Sequence, residues 1–196
     1  MKMWSEIFEL IGNTVKLIPM EESHVSDLWE AAKPEEIWAF TAGKIRSLGT
    51  ARKVVESAIA DREQGISYPF VIQEQDTNRM IGSTRFLDIS PTHKSVEIGW
   101  TWYHPSVWRT RVNTECKFLL LQHAFETWDL NRVQLKTDLR NIRSQKAIER
   151  IGGVKEGVFR KDRIIDDGYI RDTVFYSILK EEWPEVKAQL LIKLQK

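Results

Sequence analysis

One segment limits the fold more than any other. Val112–Trp128 reads as a long helix in which Val112, Cys116, Leu119, Leu120 and Ala124 form one stripe. Phe118, Leu121, Phe125 and Trp128 widen that stripe. A helix apolar over so wide an arc must be covered by a sheet or by other elements. The rest of the chain supplies strands enough. Val15–Pro19 is a short strand-like run, and from Pro69 the period changes to two. Pro69–Glu74, Met80–Ile89 and Lys94–Tyr103 then follow one another with short connections, as in an antiparallel meander. Asp76–Asn78 is the turn between the first two, and Pro91 closes the second.

Arg132–Thr137, Val154–Ile165 and Tyr169–Leu179 are further strands, the last two joined by the turn signal Asp166-Asp167-Gly168. Glu21–Ala32, with Ser23 as its cap, and Thr50–Gln64, stopped by Gly65, read as helices. So do Asn141–Ile151, ended by Gly152-Gly153, and about Trp183–Leu194. The order β α α β β β α β α β β α predicts an α+β fold, a mixed sheet flanked by helices. At 196 residues this is one domain, with its core over about 15–179 and a C-terminal helix over about 183–194.

Composition excludes several classes of function. Lys and Arg number 29 against 28 Asp and Glu, so the net charge of +1 leaves no basic footprint for nucleic acid. No run of about 18 apolar residues is present to span a membrane. Cys116 is the single cysteine, which suits a reducing cytosol, and a cytoplasmic location is expected. On the core stripe of its helix it is a poor nucleophile. The four histidines, His24, His93, His104 and His123, lack metal-ligand spacing, so no metal site is expected.

Three places could carry chemistry. Arg109-Thr110-Arg111-Val112-Asn113-Thr114 lies where a strand gives way to the long helix. A helix N-terminus offers unpaired N–H groups and a positive dipole end, so an anion site for phosphate is one reading. A solvated basic loop with Thr110 or Asn113 as cap is the other. Asn141 is placed to cap the next helix, and Ser144 shares the stripe of Ala147, Ile148 and Ile151. Its hydroxyl is either inward-facing or a second cap. Glu97 lies mid-strand, on the face predicted to carry Gly99, Thr101 and Tyr103 and opposite Val96, Ile98, Trp100 and Trp102. It is a candidate general base or an ordinary edge carboxylate.

These residues resemble the GCN5-related N-acetyltransferases (GNAT family). The match is carried by VEIGWTWY at Val96–Tyr103, WRTRVNTECK at Trp108–Lys117, NRVQLKTD at Asn131–Asp138, and Asn141, Ser144, Ala147 and the helix end at Gly153. Gly157–Arg160 and Gly168–Ser177 extend it. The branch it is most similar to contains the ribosomal-protein alanine and serine N-terminal acetyltransferases. The resemblance implies a mostly antiparallel sheet of about six or seven strands, splayed at its centre. It implies acetyl-CoA, with the pantetheine arm on Thr101, Trp102, Tyr103 and Asn141 and the pyrophosphate on Arg109–Thr114. It implies transfer to an amine acceptor, such as a protein N-terminus, with Ser144 as proton donor to the thiolate and Glu97 as base. Trp38, Phe40, Trp100 and Tyr103 are expected to shape the acceptor pocket. A homodimer is compatible with this reading. The alternative is a non-catalytic acyl-CoA-binding sensor or interaction module on the same fold. In the family's phosphate loop, Q/R-x-x-G-x-G/A, Arg111 and Asn113 here replace the small residues, so a positive φ at Arg111 would be costly.

Overall fold

The computed structural model describes residues 6–41, 43–165 and 168–195. Eight strands form one sheet: β1 (Leu10–Ile11), β2 (Val15–Pro19), β3 (Ser67–Glu74), β4 (Met80–Ser90), β5 (Ser95–Tyr103), β6 (Arg132–Asp138), β7 (Val154–Ile164) and β8 (Ile170–Leu179). Their order is β1-β2-β3-β4-β5-β6-β8-β7. All neighbours are antiparallel except β5 and β6. The α+β expectation holds, with one strand more than expected. The addition is β1, whose two residues are too few to show a period.

Five helices follow the predicted spans closely: α1 (Val25–Ala32), α2 (Leu48–Glu63), α3 (Val112–Gln122), α4 (Ile142–Arg150) and α5 (Trp183–Gln195). Two helix ends differ. Ser23 does not cap α1 but lies inside a 3-10 turn, Glu22–His24, that leads into it. The long helix stops being α-helical at Gln122 and continues as one π turn, His123–Thr127. Of the predicted β7–β8 turn, Asp166 and Asp167 lie outside the described residues, and Gly168 has φ +83°.

The sheet separates two cores. Val96, Ile98, Val133, Leu135 and Tyr176 pack against α3, α4 and α5 on one face. On the other, α1 and α2 pack over β3 and β4 through Leu28, Val55, Ala58 and Val71. The α3 face is anchored to the far edge of the sheet by a buried carboxylate. Glu115 accepts the backbone N–H groups of Asn13, Thr14 and Val15 at 2.7, 2.8 and 3.0 Å. Gly12 permits the approach, since a Cβ there would lie 2.6 Å from Glu115 Cδ. Truncation of Glu115 strands three inward donors, each costing about 1–3 kcal/mol. Glu115→Ala is therefore expected to cost about 3 kcal/mol or more, roughly 6–12 °C in Tm, measured by thermal unfolding monitored by circular dichroism.

Candidate active site

Strand β5 is the axis of the site. It pairs with β6 only over Ser95–Glu97, opposite Arg132–Gln134. Beyond Glu97 the strands part. β5 stays with β4 as far as Tyr103, opposite Gly82, and β6 stays with β8 as far as Asp138, opposite Thr173. The β6-facing backbone groups of the last residues of β5 therefore meet an opening. This is the splay that the family resemblance implies.

Within the opening the strand changes its reading. Between the pairs Arg85–Gly99 and Ser83–Trp102, β5 has one residue more than β4. The bulge centres on Trp100, whose φ is +50°. A bulky residue adopts that conformation only under constraint from its surroundings. One extra residue inverts the alternation of faces. Val96 and Ile98 face α3 before the bulge, whereas Thr101 and Tyr103 face it afterwards. Glu97 and Gly99 share the opposite face with Trp100 and Trp102. The expected grouping of Glu97 with Thr101 and Tyr103, and of the tryptophans with Val96 and Ile98, is thereby corrected.

On the α3 face, Tyr103 donates to Asn113 Oδ1 at 3.0 Å. Arg111 is the residue before α3, with ordinary φ −71°, and Glu115 makes the first helical bond to its carbonyl. The left-handed residue of the loop is Arg109, at φ +64°. The strain expected at Arg111 is thus two residues earlier. The Arg111 guanidinium donates to the Leu194 carbonyl at 3.1 Å, at the end of α5. Thr110 accepts from Val112 N at 3.3 Å and donates to the Val107 carbonyl at 2.7 Å, but the N-cap of α3 is Arg111 and no side chain caps the helix, so neither Thr110 nor Asn113 is the cap. Val112 and Thr114 are buried. The N–H groups of Asn113 and Thr114, in the first turn, have no carbonyl one turn back to bond. Arg143, in the first turn of α4, lies 3.8 Å over the Trp108 ring and feels the repulsion of Arg109, which helps burial lower its pKa. Two cations thus face each other across the mouth of the opening.

Asn141 caps α4 as expected, its Oδ1 accepting from Ser144 N at 3.0 Å. Ser144 is half-buried on the side where Ile148 and Ile151 enter the α3-face core. Beneath the strand lies a group that the sequence reading did not single out. Lys117 is buried and donates to Thr101 Oγ1 at 2.8 Å, and that hydroxyl meets Thr84 Oγ1 at 2.8 Å. Burial lowers the Lys117 pKa to about 8. Burial likewise pushes the Cys116 thiol up to about 12, so it stays protonated. His123 is held neutral by burial, at about 4, and stacks on Phe8 at 4.2 Å.

On the other face Glu97 is 2% exposed. Its Oε2 is 2.6 Å from Lys136 Nζ and accepts from Gln134 Nε2 at 3.2 Å. Burial raises its pKa, and the Lys136 ammonium opposes that rise. Gly99 leaves room for it, because a Cβ there would lie 2.9 Å from Glu97 Oε1. Trp38 packs on Trp102 with ring centroids 5.3 Å apart, and Trp100 is 54% exposed at the rim. Phe40 lies beside Arg140, whose guanidinium stacks on Tyr169 at 3.4 Å. Of the four residues expected at the acceptor side, Trp38, Phe40 and Trp100 are on the α1–α2 side, and Tyr103 is on the α3 side. Among the described residues no His, Cys, Asp and Glu cluster could hold a metal, and no helix is long and apolar enough to cross a membrane.

The parted sheet thus has the start of α3 on one face and the buried carboxylate of Glu97 on the other. The chain belongs to the acetyltransferase (GNAT) domain family, which residues 14–154 match. It is an acetyltransferase, and acetyl-CoA is its cosubstrate. A protein of T. thermophilus assigned to the acetyltransferases is 35% identical, with a TM-score of 0.85 over 95% of this chain and 96% of that one. The ribosomal-protein-serine acetyltransferase of Escherichia coli K12 is 23% identical over 88% of this chain and 97% of its own. Mycobacterium smegmatis RimJ, solved with CoA-disulfide, is 21% identical, with a TM-score of 0.79 over 92% of this chain and 89% of its own. The donor fits the residues present: the first turn of α3 offers N–H groups beside Arg109 and Arg143, chemistry suited to an anion, and β5 beyond Glu97 has an edge that β6 does not pair.

The lowered Lys117 pKa has a signature in stability. Unfolded, the amine binds its proton up to about pH 10.5; folded, only to about 8. The unfolded state binds more protons in that window, so this group makes stability rise with pH from about 8 to 10.5. Lys117→Met is expected to abolish that rise in denaturant unfolding curves taken across the window.

Proposed function

We propose that this protein acetylates a primary amine by direct attack within a ternary complex. The observation that carries the reading is the inverted strand at Trp100, with the anion cradle on one face and Glu97 on the other. The two substrates then meet through the opening between β5 and β6.

On this reading the first-turn N–H groups of α3, with Arg109 and Arg143, hold the pyrophosphate. Asn141 Oδ1 is engaged by Ser144 N, so its amide NH2 is the group left to meet the pantetheine arm. Acetyl-CoA, when bound, supplies the thioester carbonyl that is attacked. A backbone N–H near Trp102, on the unpaired edge of β5, polarises that carbonyl. Glu97 Oε accepts the proton released by the attacking amine. Lys136 keeps that carboxylate ionised in a buried setting that would otherwise neutralise it. Ser144 Oγ gives a proton to the departing sulfur. A protein N-terminus is one acceptor of this class, supported by the name of the E. coli relative. An α-amino group has a pKa of about 8, so a modest base suffices.

The test is CoA release over a panel of peptides, polyamines and aminoglycosides. Glu97→Gln should lower kcat by about 100-fold or more, and Ser144→Ala should lower kcat more than acetyl-CoA affinity. Because Glu97 acts deprotonated, kcat/KM should fall as pH drops through its raised pKa, and Glu97→Gln should flatten that limb. CoA binding without transfer to any member of the panel would instead mark a non-catalytic module.

A further inference from the structure

The acceptor side contains a buried cation that the mechanism does not use. Arg85, on β4, is 7% exposed, and its Nε has no hydrogen-bond partner among the described residues. Its guanidinium lies 4.6 Å over the Trp100 ring. Its counter-ion is Asp61 on α2, at 3.8 Å, beyond hydrogen-bond reach. A charge this deeply buried is costly without close partners. Arg85 also lines a cavity of about 30 Å³ with Met20, Leu28, Trp38, Trp100 and Trp102. That volume admits about two water-sized atoms, room for the two oxygens of a carboxylate whose carbon lies at the opening. Ser83, at the same wall, is already spent on the Phe70 carbonyl.

The position is fixed relative to the proposed base. Arg85 pairs directly with Gly99, and the Glu97 carboxylate lies over Gly99. An amine held at Glu97 therefore has Arg85 one strand away on the same face.

We infer that this cavity is an acceptor subsite for a carboxylate, with Arg85 as the specificity residue. The inference rests on the acetyltransferase reading above and narrows its acceptor to amines that carry an acid a few bonds from the nitrogen. Planar guanidinium donors match a carboxylate's two oxygens, and Trp100 on the open side lets the group enter while screening it from water. Two sources share this chemistry: the side chain of an acidic residue at a peptide N-terminus, and a free amino acid.

The experiment compares isosteric pairs with the full-length protein and acetyl-CoA. Peptides beginning with Asp or Glu are set against those beginning with Asn or Gln, and free glutamate against free glutamine. For wild type, the acid of at least one pair should be preferred about tenfold or more in kcat/KM. Which pair shows the preference identifies the source. Arg85→Gln should lose that preference through KM while keeping its thermal shift with CoA, which reports an intact fold. Asp61→Asn should strengthen the preference by removing the competing carboxylate. Equal use of acid and amide, or a parallel loss of both in Arg85→Gln, overturns the inference. If no acceptor turns over, acid-dependent thermal stabilisation of the CoA complex is compared between wild type and Arg85→Gln. Stabilisation lost in the variant keeps the subsite and removes the proposed transfer to these amines. Its absence in wild type removes the subsite as well.

Discussion

The parting of β5 from β6 after three paired residues governs the rest of the molecule. A continuous sheet would satisfy every backbone group along that edge and leave nothing for a ligand. Here the edge is opened, and the adjacent bulge exchanges which side chains each face receives. Thr101 and Tyr103 are delivered to the α3 face, while Trp100 and Trp102 are delivered to the α1–α2 face. The cost is a tryptophan in the left-handed region at φ +50°. Its packing over Arg85 and its neighbourhood to Gly43 hold it there.

The electrostatics of the two faces are distinct. Lys117, the buried amine of the α3 face, has the Thr101 and Thr84 hydroxyls beside it and a lowered pKa. On the other face the charges alternate from Lys136 on β6 through Glu97 on β5 and Arg85 on β4 to Asp61 on α2, with Gln134 donating to Glu97. Such a line keeps charged groups at a depth where single ones would neutralise.

The periodicities were sufficient where burial is one-sided, as in the stripes of α2 and α4 and the alternation of β2 and β6, whereas β3 and β4 are buried on both faces and are legible as apolar runs between turn signals. The helix-start signal at Asn141 was legible because it acts within three residues. What escaped the sequence acts over distance or through backbone angles. Nothing in Trp100 announces a positive φ, so the faces of β5 were assigned by unbroken alternation. Arg111 was suspected of strain through a motif position, whereas the chain places the turn at Arg109. Glu115 bonds backbone groups about a hundred residues away, which no side-chain pattern records. Lys136 was accessible in principle, since period two on β6 sets it with Gln134 on the face of Glu97. Arg85 was hidden in an otherwise ordinary strand.

The bond from Arg111 to the Leu194 carbonyl ties the last turn of α5 to the start of α3. A helix C-terminus is the negative pole of its dipole, and here it draws one of the phosphate loop's two arginine side chains, Arg109 and Arg111, toward itself. The loop therefore presents less positive charge than its composition suggests. Fraying of the last turn of α5 would release that guanidinium at the start of α3.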